Sequence, residues 1–592
     1  MELTKNALTV LKTRYLLRDE HGNTTETPDE MFRRVARVVA SAEKMYGGDA
    51  KKWEAKFYDA MNSLLFLPNT PTLINAGKEH GQLAACFVLP VNDSMTSIFD
   101  SLKNAALILQ SGGGTGFSFS HLRPRADIVK STGGIASGPV SFMRIYNTAT
   151  EVIKQGGARR GANMGILKID HPDVLEFIKI KRHAEELLNF NISIAVTDAF
   201  MKALKSNAKY RLYNPRSGQA AGSLRAKAVF DEIVESAWET GDPGLIFIDR
   251  INRDNPTPLL GNIESTNPCG EQPLLPFEAC ILGSVNLSKT VVSIQKSEAR
   301  SKKPSKSASS FIPLPSSLKI DWDLLAYLVR LGVRFLDDAI DANNYPIPEV
   351  EKMHKGNRKI GLGVMGWADM LIKLGVRYNS PAAFELAKEV MSFIRDRARA
   401  ASAELARERG MFPNFSGSIY DRREIVSEGG LRNATTTTIA PTGTLSLIAG
   451  CSSGIEPLFA VAYKRRVLET ELYEIHPYFL ETAKMRGFYS AELIRKISIK
   501  GNLRGLSEIP SDVKKLFVTA HDITPEDHVN MQAVFQQFTD NAVSKTINLK
   551  HRATRDDVAR AFMLAYEKGC KGITVFRYGS KPGTLVKLDE VD

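Results

Sequence analysis

The chain has 592 residues, 43% of them hydrophobic and 24% charged, which excludes a disordered or fibrous polypeptide and supplies material for a large core. Its formal net charge of +12 favours anionic partners, although part of the excess sits in one run, Lys296, Arg300, Lys302, Lys303 and Lys306. Five cysteines, with no Cys-x-x-Cys and no close Cys/His cluster, exclude a disulfide scaffold and a structural zinc site.

The opening Met1-Glu2-Leu3-Thr4-Lys5 lacks the basic-then-apolar pattern of a secretory signal, and no apolar stretch is long enough to cross a bilayer. A cytoplasmic protein without a membrane partner is the expectation. Pro28-Asp29-Glu30 opens an amphipathic helix through Phe32, Val35, Val38 and Val39, and a second helix covers residues 52–65. Residues 1–60 are therefore expected to form a helical region. Beyond it, strand-like runs (Phe87-Val88-Leu89, Ile192-Ser193-Ile194-Ala195-Val196, residues 244–248, 435–439 and 572–576) alternate with long amphipathic helices at residues 322–341 and 381–409. This alternation predicts an α/β domain over residues 61–592 with a buried sheet. Residues 294–317, rich in Ser, Lys and Pro, are expected to be a flexible surface insertion.

Three segments carry candidate chemistry. In Asn267-Pro268-Cys269-Gly270-Glu271, proline disfavours helix at Asn267 and glycine permits a tight backbone. If extended, the segment turns an amide, a thiol and a carboxylate to one face, a set suited to work on a sugar hydroxyl. A Pro-Gly turn with an ordinary cysteine explains the pentapeptide equally well. In Thr436-Thr437-Thr438-Ile439-Ala440-Pro441-Thr442-Gly443-Thr444-Leu445-Ser446, a strand runs into a helix start, where free amides and hydroxyls favour an anion; a simple capped helix is the plainer alternative. Ser111-Gly112-Gly113-Gly114-Thr115-Gly116 either admits a nucleotide to the backbone or forms a flexible turn, and its spacing is not that of a dinucleotide fold.

The first segment, continued by Gln272-Pro273-Leu274 and by Cys280-Ile281-Leu282-Gly283-Ser284-Val285-Asn286-Leu287, resembles ribonucleotide reductase large chains. Leu67-Pro68-Asn69-Thr70-Pro71-Thr72-Leu73-Ile74-Asn75-Ala76-Gly77 and Leu83-Ala84-Ala85-Cys86-Phe87-Val88-Leu89 extend the likeness, and Phe117-Ser118-Phe119-Ser120-His121-Leu122-Arg123-Pro124 resembles the cobalamin-dependent members. The resemblance implies a ten-stranded α/β barrel with a threaded loop that carries Cys269 as a thiyl radical. It implies Glu271 as proton acceptor, Asn267 as sugar anchor, and Cys86 with Cys280 as the redox pair. Thr72, Ala85, Gly114, Thr442, Gly443, Thr444, Leu445 and Ser446 are the implied substrate contacts, with Ala85 standing where the family has serine. Asp93, Lys130, Arg159 and Arg160 fall at implied contacts for a deoxynucleoside triphosphate effector at a homodimer interface.

The same resemblance speaks to the radical source. Class I large chains have paired tyrosines in the last barrel strand, whereas the matching positions here are Val575 and Phe576. A glycyl-radical motif is also missing, which leaves adenosylcobalamin as the implied cofactor. The last cysteine is Cys570, so the resemblance leaves three expectations for the reductant: a separate cysteine-bearing chain, a cysteine tail beyond Asp592, or an external dithiol such as thioredoxin. A class I large chain that needs a second subunit is the competing enzyme reading. A non-catalytic nucleic-acid-binding protein is suggested by charge alone, and nucleic acid is not an expected partner.

Overall fold

A computed structural model describes residues 3–129, 133–153, 162–182, 186–293, 318–467 and 470–580. The anticipated insertion at 294–317 lies outside the described residues, as do Lys130, Arg159 and Arg160.

Three helices open the chain: α1 (Lys5–Arg14), α2 (Pro28–Ala40) and α3 (Ala50–Asn62). Thr27 starts α2 through a capping box: its hydroxyl accepts from Glu30 N, while Glu30 accepts from Thr27 N. Met31, Phe32, Val35 and Val39 then form one buried stripe. Glu43, wholly buried, accepts from Arg334 Nε at 2.6 Å and Arg409 Nη2 at 2.7 Å, which fastens this region to helices of the larger body. Removing one partner of such a buried pair costs about 3–5 kcal/mol.

Ten strands form one sheet: β1 (Phe66–Pro68), β2 (Cys86–Pro90), β3 (Gly114–Ser118), β4 (Asn163–Lys168), β5 (Phe190–Val196), β6 (Gly244–Phe247), β7 (Ala279–Asn286), β8 (Ile360–Met365), β9 (Thr546–Leu549) and β10 (Gly572–Arg577). β2 to β6 run parallel in sequence order. β7 is parallel to β8, and β9 to β10. The two parallel sets meet antiparallel, at β2/β7 and at β6/β10. Helices cover the outside, among them α4 (Met95–Gln110), α5 (Pro139–Val152), α6 (Trp322–Asp341) and α7 (Pro381–Arg409). Every residue of β7 is buried, as expected of a strand covered on both faces. On α6, Phe335 packs edge-on against Phe57 of α3 and Phe66 of β1, with ring centroids 5.0 and 5.3 Å apart.

Residues 435–439, expected as a strand, do not form a ladder. They close the gap between β8 and β9 through isolated parallel bridges, Leu362 to Thr437 and Ile439 to Val543. The reason is local: Asp540 Oδ2 accepts from the backbone N of Thr436 at 2.9 Å and of Thr437 at 3.2 Å, so a side chain takes amides a ladder would use. Among the described residues no helix is long and apolar enough to cross a membrane. Val291–Ser293 and Leu318–Ile320 pair antiparallel outside the sheet, Ser293 opposite Leu318.

Candidate active site

The segment Asn267 to Glu271 is a turn, not an extended strand. Ser265–Thr266 pairs antiparallel with Pro273–Leu274, and the loop between them closes on itself. Asn267 N donates to Gln272 O at 3.1 Å, and Gly270 N to Asn267 O at 3.1 Å. Gly270 has φ +81° with open space where a Cβ would stand, so glycine serves the backbone conformation there. Asn267, Cys269 and Glu271 still line one cavity of about 310 Å³, brought together by the turn rather than by alternation.

The loop is tied to both parallel halves of the sheet. On one flank, Asn191 of β5 donates from Nδ2 to Pro268 O at 2.8 Å, and Asn267 Nδ2 donates to Cys86 Sγ at 3.1 Å. On the other, Glu271 O accepts from Ala542 N at 2.9 Å and Thr438 Oγ1 at 3.0 Å. Glycines clear the path. A Cβ on Gly116 would stand 1.8 Å from Thr266 O, and one on Gly114 would stand 2.9 Å from Pro268 Cγ. The glycine run at 111–116 therefore enters a buried strand rather than making only a flexible turn, and its last members leave room for the loop.

Cys86 and Cys280 are register partners across the antiparallel β2/β7 junction. Such partners have Cα atoms about 4.5–5.5 Å apart, within disulfide reach. Both thiols are free and buried. Burial pushes the Cys86 thiol well up, and the nearby Glu271 carboxylate adds to it. Burial also pushes Cys280 up, against partial relief from Lys359. Both sulfurs are thus held as thiols, with their hydrogens. Behind them Lys359 Nζ donates to Glu278 Oε2 at 2.6 Å, with both side chains fully buried.

Cys269 alone of the five cysteines is exposed. Besides the cavity shared with Asn267 and Glu271, it lines a second one of about 430 Å³ on the side of β10, where Val575 and Phe576 form part of the wall. Ser193, Thr574 and Asn548 add hydrogen-bonding groups there, and Met164 and Ile246 add apolar surface. Among the described residues no cluster of three His, Cys, Asp or Glu side chains is poised to hold a metal ion.

The remaining expected contacts divide. Ala85, Gly114, Thr442, Gly443, Thr444 and Leu445 line the first cavity. The last four open helix α8 (Gly443–Ala449), to which Thr442 gives no side-chain cap; its hydroxyl instead accepts from Gly454 N at 2.7 Å. Thr72 and Ser446 stand behind the wall. The Thr72 hydroxyl donates within the fold, to Asn69 Oδ1 and Leu83 O, and Ser446 Oγ donates to Gly443 O at 3.1 Å. Thr70 takes the place on the wall expected of Thr72. Asp93 accepts from Arg123 Nε at 2.8 and 3.0 Å, and Lys130, Arg159 and Arg160 are outside the described residues.

Sequence reasoning missed Asn191, Arg14 and Tyr15, and it placed Thr438 in the phosphate segment rather than against the loop it holds. A polar side chain inside the apolar run of β5 was a readable sign for Asn191; Arg14 and Tyr15 gave none.

A loop seated between the two parallel halves of the sheet, with one exposed thiol at its tip and a buried thiol pair beside it, makes a thiol-based site inside an α/β fold. Residues 84–576 match the family model described as ribonucleotide reductase, barrel domain, and residues 1–81 match the one described as ribonucleotide reductase, all-alpha domain. A vitamin B12-dependent ribonucleoside-diphosphate reductase from Thermoplasma acidophilum is 48% identical over 639 residues, covering 98% of this chain and 80% of that protein. One of the same description from Mycobacterium tuberculosis is 46% identical over 588 residues, covering 99% and 81%. The Actinobacillus ureae class Id ribonucleotide reductase alpha subunit has the same fold, with a TM-score of 0.75 at 20% identity over 98% of this chain and 97% of that one. The chain belongs to the ribonucleotide reductase large-chain family.

Proposed function

We propose that this chain reduces ribonucleoside diphosphates to 2′-deoxyribonucleotides by thiyl-radical chemistry at Cys269, with adenosylcobalamin as radical source. One observation carries the reading: Cys269 is common to two cavities, and one of them also holds Glu271, Asn267 and, through Asn267, the Cys86/Cys280 pair. The two relatives described as vitamin B12-dependent support the cofactor and the diphosphate. The wall containing Val575 and Phe576, which offers no phenol, speaks against the class I alternative.

The second cavity suits the nucleoside portion of the cofactor, within the size range of small-molecule sites; Ser193, Thr574 and Asn548 would hold it. When bound, adenosylcobalamin supplies a cobalt–carbon bond that breaks homolytically, which no side chain offers. On the other face of the loop, Cys269 as a thiyl takes the 3′ hydrogen atom of the ribose. Glu271 accepts the 3′-hydroxyl proton and Asn267 hydrogen-bonds the sugar. The 2′-hydroxyl leaves as water. Cys86 and Cys280 together give two protons and two electrons and close to a disulfide, their burial keeping both hydrogens in place until used. Cys269 then returns its hydrogen atom to C3′, and the 3′-hydroxyl regains its proton from Glu271. Thr444 and the first amides of α8 receive the phosphates.

The partners follow from the same reading. An external dithiol, thioredoxin or a separate cysteine-bearing chain, reopens the disulfide, and free thiols suit a reducing cytoplasm. A homodimer is supported by neighbouring helices that expose Met95 and Phe99 on α4 and Ile145 and Val152 on α5. A deoxynucleoside triphosphate effector at that interface would involve Asp93, Lys130, Arg159 and Arg160. The test is a reduction assay with and without adenosylcobalamin, across four bases and both phosphate lengths. Product formation that ignores the cofactor, or its complete absence with the cofactor and a dithiol present, rejects the reading.

A further inference from the structure

The walls of the Asn267-side cavity carry almost no formal charge. Among the described residues that line it, Glu271 is the one anion and Arg14 the one cation. A diphosphate brings two or more negative charges into that space. The first turn of α8 offers hydrogen bonds but no net charge, and Glu271 opposes an anion. The charge balance therefore turns on Arg14.

Arg14 comes from outside the barrel. It is the last residue of α1, which packs against α8. Tyr15 follows it, is buried, and has its hydroxyl 2.9 Å from the Thr70 hydroxyl on the cavity wall. The end of α1 is thereby fixed beside the site. The Arg14 side chain itself makes no ion pair or hydrogen bond among the described residues. Arg18, by contrast, donates to the carbonyls of Gly22 and Lys12. A basic residue in the last turn also has an ordinary reason, attraction to the negative end of the helix dipole. Lys12 in that turn meets the same need without lining the cavity, so the dipole does not account for where Arg14 sits.

We propose that Arg14 binds the outer phosphate of the ribonucleotide, so that the N-terminal helix recognises the charge of a substrate whose sugar is transformed by the barrel loop. A guanidinium suits this task because its planar fork meets two phosphate oxygens at once. The proposal rests on the ribonucleotide reading above.

The experiment measures equilibrium dissociation constants of the full chain for cytidine 5′-diphosphate and cytidine 5′-monophosphate, in the unaltered protein and in Arg14→Gln, Arg14→Lys and Lys12→Gln. Arg14→Gln should weaken the diphosphate about tenfold or more and the monophosphate about threefold or less. Arg14→Lys should fall between, and Lys12→Gln should match the unaltered chain. An unchanged gap between the two nucleotides in Arg14→Gln overturns the proposal. So does an equal loss in Lys12→Gln, which would mean diffuse surface charge. If the unaltered chain binds neither nucleotide, the ribonucleotide reading fails first, a result distinct from tight binding that is indifferent to Arg14.

Discussion

The two cavities that meet at Cys269 differ in what surrounds the shared thiol. Beside β2 and β7 the wall holds Cys86, Asn267 and Glu271, with Cys280 directly behind. Beside β10 Cys269 is the one thiol among the described residues, and the charged wall residues Asp242 and Lys545 are each engaged in an ion pair, with Lys181 and Glu456. The difference teaches a division of labour. One face of the loop carries a thiol pair and a carboxylate able to exchange protons and electrons, whereas on the other Cys269 is the one redox-active side chain among the described residues.

The hardest blow to this contrast is Cys269→Ser, which alters the residue both cavities share. Deoxyribonucleotide formation should fall about a thousandfold or more, while Cys570→Ser, altering a buried thiol outside both cavities, should stay within about twofold in a dithiothreitol-driven assay. Equal losses would break the comparison. Next, Glu271→Gln removes a proton acceptor from one face only. Turnover should drop about a hundredfold to ten-thousandfold, and a retained rate would show that proton transfer runs elsewhere.

Gly116→Ala tests the threading. Its Cβ would meet Thr266 O at 1.8 Å, so the loop must shift, and a displacement near 1 Å costs about a hundredfold in a step that depends on alignment. Activity within a few-fold of normal would mean that loop position is not limiting. Smaller still is a pH effect. Burial disfavours the thiolate of Cys86 and Cys280, so their alkylation by iodoacetamide should reach half-rate above pH about 8.5, the free-cysteine value. Mass spectrometry of labelled peptides reads this directly, and half-points at or below that pH contradict the burial argument. Least of all, Phe576→Tyr restores one phenol to the far wall. No cofactor-independent activity should appear, and the cofactor-driven rate should stay within about threefold.

Much of the fold was legible where physics is local. The capping box at Thr27 and the apolar stripe of α2 announce that helix, and α6 and α7 fall where periodicity predicts them. β3 was harder, since Gly-Thr-Gly-Phe-Ser has weak strand propensity and owes its form to a loop passing close by. Residues 435–439 fall short of the expected strand for the opposite reason: Asp540 takes the amides of Thr436 and Thr437, which leaves parallel bridges at Thr437 and Ile439 in place of a ladder. At the site, the pentapeptide offered an amide, a thiol and a carboxylate and, as one of two readings, the Pro-Gly turn that gathers them; it did not show the strands and glycines that seat the turn. Thr72 and Thr70 are two residues apart, and which one faces the cavity depends on hydrogen bonds to Asn69 and Leu83 that no local pattern encodes.

Ser293 and Leu318, the last described residues before the 294–317 stretch and the first after it, are cross-strand partners in a small antiparallel pair away from the sheet. Their ends are therefore held about one strand spacing apart, whatever length of chain lies between. Because closing a longer loop adds little free energy, roughly 0.6 kcal/mol per doubling, this position is a natural splice point. A reporter domain or affinity tag could be grafted there, leaving both cavities and the threaded loop as they are.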